Sequence, residues 1–248
     1  MLSKDEAVCL RAVDYSETSQ IVTLFTRAAG KISAIAKGSK RPKSSFDGPI
    51  EILSHGRIVV TQGDKDKLAT LTEFQQQPGF TALRSNLCAM SCCLFAAELV
   101  NSLTHEHDAH PELYDGLLQF LRHVGEQPGN ERREVLALLI LFQLTMLREV
   151  GLQPILNRCA NCKSAFSSKW RGVYFSSLAN GMICGDCEGA FAEKVRLTGK
   201  TANSLANLKT LATADETTLR GIEKLLVRHF TEILHRPPRM ARQVLSGP

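Results

Sequence analysis

The chain has 248 residues, 44% of them hydrophobic and 22% charged, with a formal net charge of +5. That length holds one large domain or two smaller ones with real cores, and so mild a charge excess names no partner by itself. The opening residues Met1-Leu2-Ser3-Lys4-Asp5-Glu6 start no signal-peptide apolar stretch, and the most apolar segment, Val135 to Leu147, is interrupted by Gln143 and Thr145. It is shorter than the ~20 residues a membrane helix needs, so a cytoplasmic protein without a membrane role is expected.

The first 75 residues alternate short β-type runs with turns: Ala7 to Val13, Gln20 to Phe25, Lys31 to Ala36, Ile50 to Thr61 and Lys67 to Phe74. Five such strands fit a small barrel, with Gly63-Asp64 as a hairpin connection between the last two. Gln75-Gln76-Gln77-Pro78-Gly79 breaks the pattern and marks a boundary, giving domains at 1–78 and 79–248. From Phe80 the period becomes helical, with Phe80, Leu83, Leu87, Met90, Leu94 and Leu103 on one face. Further helices are predicted over Pro111 to Val124, Glu131 to Val150, Gly199 to Leu211 and Glu216 to Leu234, the last capped by Asp215. The third helix, apolar on nearly every side, is expected at the centre of a bundle. The fold class is therefore α+β and multidomain.

Cys159-Ala-Asn-Cys162 and Cys184-Gly-Asp-Cys187 are two Cys-x-x-Cys knuckles 21 residues apart. Four thiolates so spaced can surround one tetrahedral ion, and a site with four protein ligands is closed, so it argues for architecture and against metal catalysis. One structural Zn2+ in a module at about 157–190 is the reading, with iron the chemical alternative. The other cysteines, Cys9, Cys88, Cys92 and Cys93, lie in apolar patterns and are read as reduced core thiols. Arg158, Lys163, Lys169 and Arg171 surround the knuckles, equally consistent with nearby phosphate and with a solvated surface.

Arg27, Lys31, Lys37, Lys40, Arg41 and Lys43 form a basic stretch with no acid before Asp47. Such a concentration suits a phosphate backbone, which lysine and arginine hold without reading sequence; the plain alternative is a solvated loop. The nearest aromatics are Phe25 and Phe46, so base stacking has little support. Gly199-Lys200-Thr201 imitates the end of a phosphate-binding loop, but Lys194 stands where that loop needs glycine. His105, His107 and His110, with Glu106 and Asp108, lack helical i, i+4 spacing and read as an interhelical loop. No Gly-x-Ser-x-Gly elbow is present, and no enzyme activity is expected.

The stretch from Asp14-Tyr15-Ser16-Glu17-Thr18-Ser19-Gln20 through Thr26-Arg27, continuing into Gly30-Lys31 and Lys37-Gly38-Ser39-Lys40-Arg41-Pro42-Lys43-Ser44, resembles the N-terminal region of the bacterial RecO family of recombination mediators. Phe142-Gln143-Leu144 through Leu147 and Gly151, running into the first knuckle, resembles the same family's central helix and metal module. The resemblance implies an OB-fold joined to a helical domain with an inserted four-cysteine zinc finger. It implies a non-enzymatic mediator, at the nucleoid, that binds single- and double-stranded DNA, anneals strands and, with RecR, helps load RecA onto DNA coated by the single-strand-binding protein SSB. Ser45, where the family often has another base, and Ile52-Leu53, where Pro-Phe is common, depart from the pattern. An SSB tail is acidic and ends in an apolar residue, and Arg122, Arg132 and Arg133 are the cations expected to receive it. The rival reading is a zinc-containing interaction scaffold with no direct nucleic-acid role.

Overall fold

The computed structural model describes residues 2–46, 48–61, 68–126 and 131–246. The predicted Gly63-Asp64 connection lies outside them. Five strands, β1 (Leu2–Asp14), β2 (Gln20–Thr26), β3 (Gly30–Ala36), β4 (His55–Thr61) and β5 (Ala69–Gln76), close into a barrel in the order β1-β2-β3-β5-β4. Closure comes from β3 and β5, the one parallel pair in this barrel, joined from Ala34↔Ala69 to Ala36↔Leu71. Alternation sets the faces: Val22, Leu24, Ile32, Ala34 and Ala36 point into a core that also holds Phe46, Ile50, Ile58, Leu71 and Phe74. The first strand is longer than its hydrophobic run, because Leu2 to Val8 pair with β4 while Ala7 to Asp14 pair with β2.

Residues 50–54, expected to begin the fourth strand, form a turn instead. Leu53 is buried with φ at 73°, its N–H donates to the Cys9 carbonyl (2.8 Å), and the Cys9 N–H donates to the Ser54 carbonyl (2.8 Å). The apolar run here fills the core through a turn rather than through a ladder.

Two helices, α1 (Leu87–Leu103) and α2 (Pro111–Gly125), belong with the barrel in one compact unit that ends at Pro128, so the spatial division falls later than the change of periodicity at residue 78. The contacts explain why. Lys31 sends its ammonium to the Asn101 and Thr104 carbonyls at the C-terminal end of α1 (2.7 and 2.5 Å), where unpaired carbonyls attract a cation. Arg27 makes a bidentate pair with Asp115 of α2 (2.9 and 2.9 Å), and Phe25 packs on Tyr114 with ring centroids 6.2 Å apart. Gly30 has φ at +72°, and a Cβ there would lie 2.1 Å from the Asp108 carbonyl oxygen, so no larger residue fits. Helix α1 begins only at Leu87, after a 3-10 turn at Thr81–Ser85, because the Asn86 side chain caps it through the Ala89 N–H (3.0 Å). Leu87, expected on the apolar face, is accordingly exposed.

The second unit, from Gly129 to Pro248, contains α3 (Arg132–Glu149), a three-stranded sheet of β6 (Val173–Ser176), β7 (Gly181–Cys184) and β8 (Val195–Arg196) in the order β7-β6-β8, and then α4 (Gly199–Ala206), α5 (Glu216–Leu234) and α6 (Ala241–Ser246). Asp215 caps α5 as expected, accepting from the Thr218 N–H (2.8 Å). Helices α3 and α5 pack together through apolar faces crossed by one polar pair, in which Gln143 Nε2 donates to Glu223 Oε1 (2.8 Å). Both residues are buried, and the Gln143 oxygen Oε1 and the second Glu223 oxygen Oε2 find no partner among the described residues.

Burial pushes the Glu223 carboxyl up to about 7, the Gln143 bond pulling weakly the other way. A folded-state value above the unfolded one makes stability greatest at acid pH and erodes it as pH rises from about 4.5 through 7. Unfolding by denaturant at pH 5 and pH 8 should therefore differ by a Glu223 contribution on the order of 2–3 kcal/mol, which Glu223→Gln abolishes.

Candidate nucleic-acid interface and metal centre

The basic loop leaves β3 and is fastened to the barrel by one buried amide. Gln20 Oε1 accepts from Ser39 Oγ (3.0 Å) and from the Ile50 N–H (2.9 Å), and Gln20 Nε2 donates to the Ile50 carbonyl (3.1 Å). Both ends of the excursion are thus tied to the same side chain. Ser45 Oγ donates to the Thr72 carbonyl (2.8 Å) and Gln76 Nε2 to the Phe46 carbonyl (2.7 Å), which lays the middle of the loop on β5. The short Ser45, where a basic residue was the expectation from resemblance, acts here as an anchor.

The six predicted cations separate by environment. Arg27 and Lys31 are engaged within the unit by Asp115 and by the end of α1, as described above. Lys40 pairs with Asp14 (2.7 Å), and its N–H donates to the Thr18 carbonyl (3.1 Å). Lys37, Arg41 and Lys43 are exposed, with no side-chain hydrogen bond or ion pair among the described residues. Gly38, with φ at +76°, turns the chain between them, and the Arg41 N–H donates to its carbonyl (3.0 Å). Phe25 and Phe46, the aromatics nearest in sequence, are both buried in the barrel. The exposed aromatic of this region is Tyr15, at the tip of the β1–β2 hairpin, which composition near the basic run did not single out.

The four sulfurs of Cys159, Cys162, Cys184 and Cys187 all lie within 4.8 Å of one another, and Cys162 Sγ to Cys184 Sγ is 3.8 Å. Four thiolates about 2.3 Å from one tetrahedral ion stand about 3.8 Å apart, so the donors fit a tetrahedral metal. The first knuckle is a tight turn: the Cys159 N–H donates to the Ser164 carbonyl (2.8 Å), and Lys163 takes the left-handed conformation at φ 66°. The second follows β7, where Cys184 ends the strand and its carbonyl accepts from the Cys187 N–H (3.1 Å). The Ala160 N–H donates to the Met182 carbonyl (2.7 Å) and joins the two. Glycine is required at 181, since a Cβ would meet the Ile155 carbonyl oxygen at 2.5 Å. Ser164, bonded to its sulfur, draws the exposed Cys162 thiol down to about 6, while burial pushes Cys184 up.

The arginines expected to receive an acidic tail fall in different units, Arg122 in the first and Arg132 and Arg133 in the second. Arg122 is exposed on α2. Arg132 faces Glu216 (3.4 Å), and Arg133 donates to the Ala212 carbonyl (2.7 Å). Lys200 pairs with Asp215 (2.7 Å) in the first turn of α4, so the Gly199-Lys200-Thr201 segment is a capped helix start. In the histidine loop, Glu106 accepts from Ser33 (2.6 Å), His110 meets Asp108 (3.1 Å), and no metal-sized cluster forms among the described residues. None of the described helices is long and apolar enough to cross a membrane.

The pinning role of Gln20 can be measured. Gln20→Ala leaves the buried Ile50 N–H and carbonyl without partners and should cost about 2–4 kcal/mol of stability, with hydrogen exchange at the Ile50 amide accelerated more than at Leu24 in the barrel core.

Comparison with known proteins gives two matches along the chain, which meet near residue 80 rather than at the spatial division. Family models for the N terminal and the C terminal of recombination protein O match residues 1–77 and 84–242. The chain is 33% identical over 202 residues to the DNA repair protein RecO of Anaeromyxobacter dehalogenans (strain 2CP-C), covering 82% of this chain and 77% of the relative. It is 34% identical over 208 residues to that of Alkaliphilus metalliredigens, covering 83% and 81%, and 31% identical over 205 residues to that of Bacillus subtilis (strain 168), covering 83% and 76%.

Proposed function

The chain belongs to the recombination protein O family, a DNA repair and recombination family, and from that premise we propose that it is a non-enzymatic mediator that binds single- and double-stranded DNA through the basic loop of its OB barrel. The observation that carries this reading is the outward set Lys37, Arg41 and Lys43 on a loop whose backbone is already held by Gln20. Exposed cations on a fixed loop gain affinity by releasing counterions and lose little ordering entropy on binding. Lys40 adds its charge next to Asp14 and contributes less; Arg27 and Lys31 position α2 and α1. Annealing of complementary strands, and loading of RecA with RecR onto SSB-coated single strands, are the steps this surface serves. Arg122 is the exposed member of the arginine set offered to an acidic SSB tail, whereas Arg132 and Arg133 brace the start of α3. The protein works in the cytoplasm, at the nucleoid.

The experiment is a salt titration of oligonucleotide binding. Replacing Lys37, Arg41 and Lys43 together with alanine should weaken binding to unrelated sequences by a similar factor and flatten the logarithmic salt slope by roughly two units on single strands, at about 0.7 per lost phosphate contact. Thermal stability should be nearly unchanged, because exposed charges contribute little to it. Unaltered affinity in the triple variant rejects the loop as the DNA surface.

We also infer that the four-cysteine site holds one structural zinc ion, with Cys159, Cys162, Cys184 and Cys187 as its ligands. Support comes from the all-thiolate donor set and the tetrahedral spacing of the sulfurs. Metal analysis of the purified protein should return about one zinc per chain, and Cys159→Ser or a strong chelator should lower the melting temperature, since ligand binding is coupled to folding of the module. Full thermal stability in the metal-free protein would contradict a structural role.

A further inference from the structure

We propose that Tyr15 is a base-stacking residue beside the basic loop, which confines part of the affinity to nucleic acid with unpaired bases. The inference rests on the DNA reading of that loop and adds to it the form of nucleic acid preferred. Tyr15 is 64% exposed, unusual for a residue of its size, and its ring makes no contact with another ring among the described residues. It is not loose. Its N–H donates to the Ser19 carbonyl (2.9 Å), and the Ser16 N–H donates to the same oxygen (3.2 Å), so the hairpin tip is a closed turn.

The tip is joined to the basic loop at three points. Lys40 Nζ reaches Asp14 (2.7 Å), the Lys40 N–H donates to the Thr18 carbonyl (3.1 Å), and the Gly38 N–H donates to Ser19 Oγ (3.3 Å). Residues on both sides of Tyr15 are therefore bonded to the segment that carries Lys37, Arg41 and Lys43. Among the described residues of these two segments the acids are Asp14, already paired with Lys40, and the exposed Glu17 and Glu51, against the exposed cations Lys37, Arg41 and Lys43.

An exposed aromatic on a closed turn bonded to a cationic loop has one chemical use that the cations lack. It offers a π-face to a base, and every base has one, so the contact is tolerant of sequence. A tyrosine ring has only two side-chain torsions to fix, which keeps the ordering cost low. In a duplex the base faces are stacked inside the helix and the ring finds none. The stacking contribution is thus restricted to single strands, while the charge contribution is shared by single strands and duplexes.

The test uses the full chain and fluorescence anisotropy at one fixed salt concentration, with a labelled oligothymidine, an abasic oligomer of equal length, and a duplex. Tyr15→Ala should weaken binding of oligothymidine about 5-fold or more, as loss of one stacked base does, leaving the abasic oligomer, the duplex and the salt slope as in wild type. Tyr15→Phe should restore oligothymidine binding, because the ring and not the hydroxyl is used. An equal loss on the abasic oligomer, or no loss on oligothymidine, overturns the proposal. The triple variant of Lys37, Arg41 and Lys43 separates the two readings. Weakened binding by the triple variant with an ineffective Tyr15→Ala removes the stacking inference alone, whereas wild-type binding by the triple variant removes the basic-loop site and Tyr15 with it.

Discussion

The connection from Ala36 to His55 leaves the barrel wall, returns to it, and carries peptide groups that no strand ladder satisfies. Gln20 supplies what the ladder does not. Its amide has one strong acceptor and two donor positions, and it uses both kinds of atom on the two ends of the same loop. Because Gln20 is the first residue of β2 and points inward, the amide sits where the loop departs from and rejoins the core. A buried side chain bonded through both its oxygen and its nitrogen in this way favours one loop path, since other paths would leave these buried polar atoms unpaired. The placement of Lys37, Arg41 and Lys43, and of the hairpin tip bonded to Lys40, follows from that path.

The same segment shows how a run of like charges is divided by the fold. Six cations within seventeen residues would repel one another if all were presented together. Two of them sit at the β2–β3 connection, Arg27 in the turn and Lys31 on β3. Lys31 and Arg27 lie where the barrel meets α1 and α2, and each neutralises something specific there, the carbonyl end of α1 and the Asp115 carboxylate. Burial lowers the Lys31 ammonium value and Asp115 raises that of Arg27, opposite perturbations that show one cation partly desolvated and the other held by its counter-charge. What remains exposed is a smaller set, concentrated on the loop.

Much of this was readable from the chain alone, for identifiable reasons. The strands at Gln20 to Phe25 and Lys31 to Ala36 alternate cleanly because one face is core and the other is not, and both appear within a residue of the expected bounds. The metal knuckles were legible because their chemistry is local, two turns with fixed spacing. Ile50 to Leu53 was misread as strand because its apolar residues enter the core through a turn, and hydrophobicity records burial without recording how the backbone gets there. Arg27 and Lys31 were grouped with the loop cations because Asp115 and the end of α1 are far away in sequence, and a charge run says nothing about distant partners. Tyr15 was passed over for Phe25 and Phe46 because proximity in sequence was used in place of exposure. The short sheet of β6, β7 and β8 left no periodic signal, two to four residues per strand being too few.

That small sheet brings the four thiols of the second unit close enough together to hold a metal ion. Cys159, Ile183 and Cys184 form a buried cluster on it, with Trp170, Tyr174 and Phe191 partly covering them, and Phe175 and Met182 of the same sheet are buried as well. Two of the three members of that cluster, Cys159 and Cys184, are themselves candidate metal ligands, so burial and coordination would meet at the same atoms. Cys184 is a buried thiol with its value pushed up by desolvation, and Cys162 an exposed thiol with its value drawn down by Ser164, so the four donors sit in unequal surroundings. A cation shared by the four sulfurs, as proposed above, would close the two turns on this short sheet.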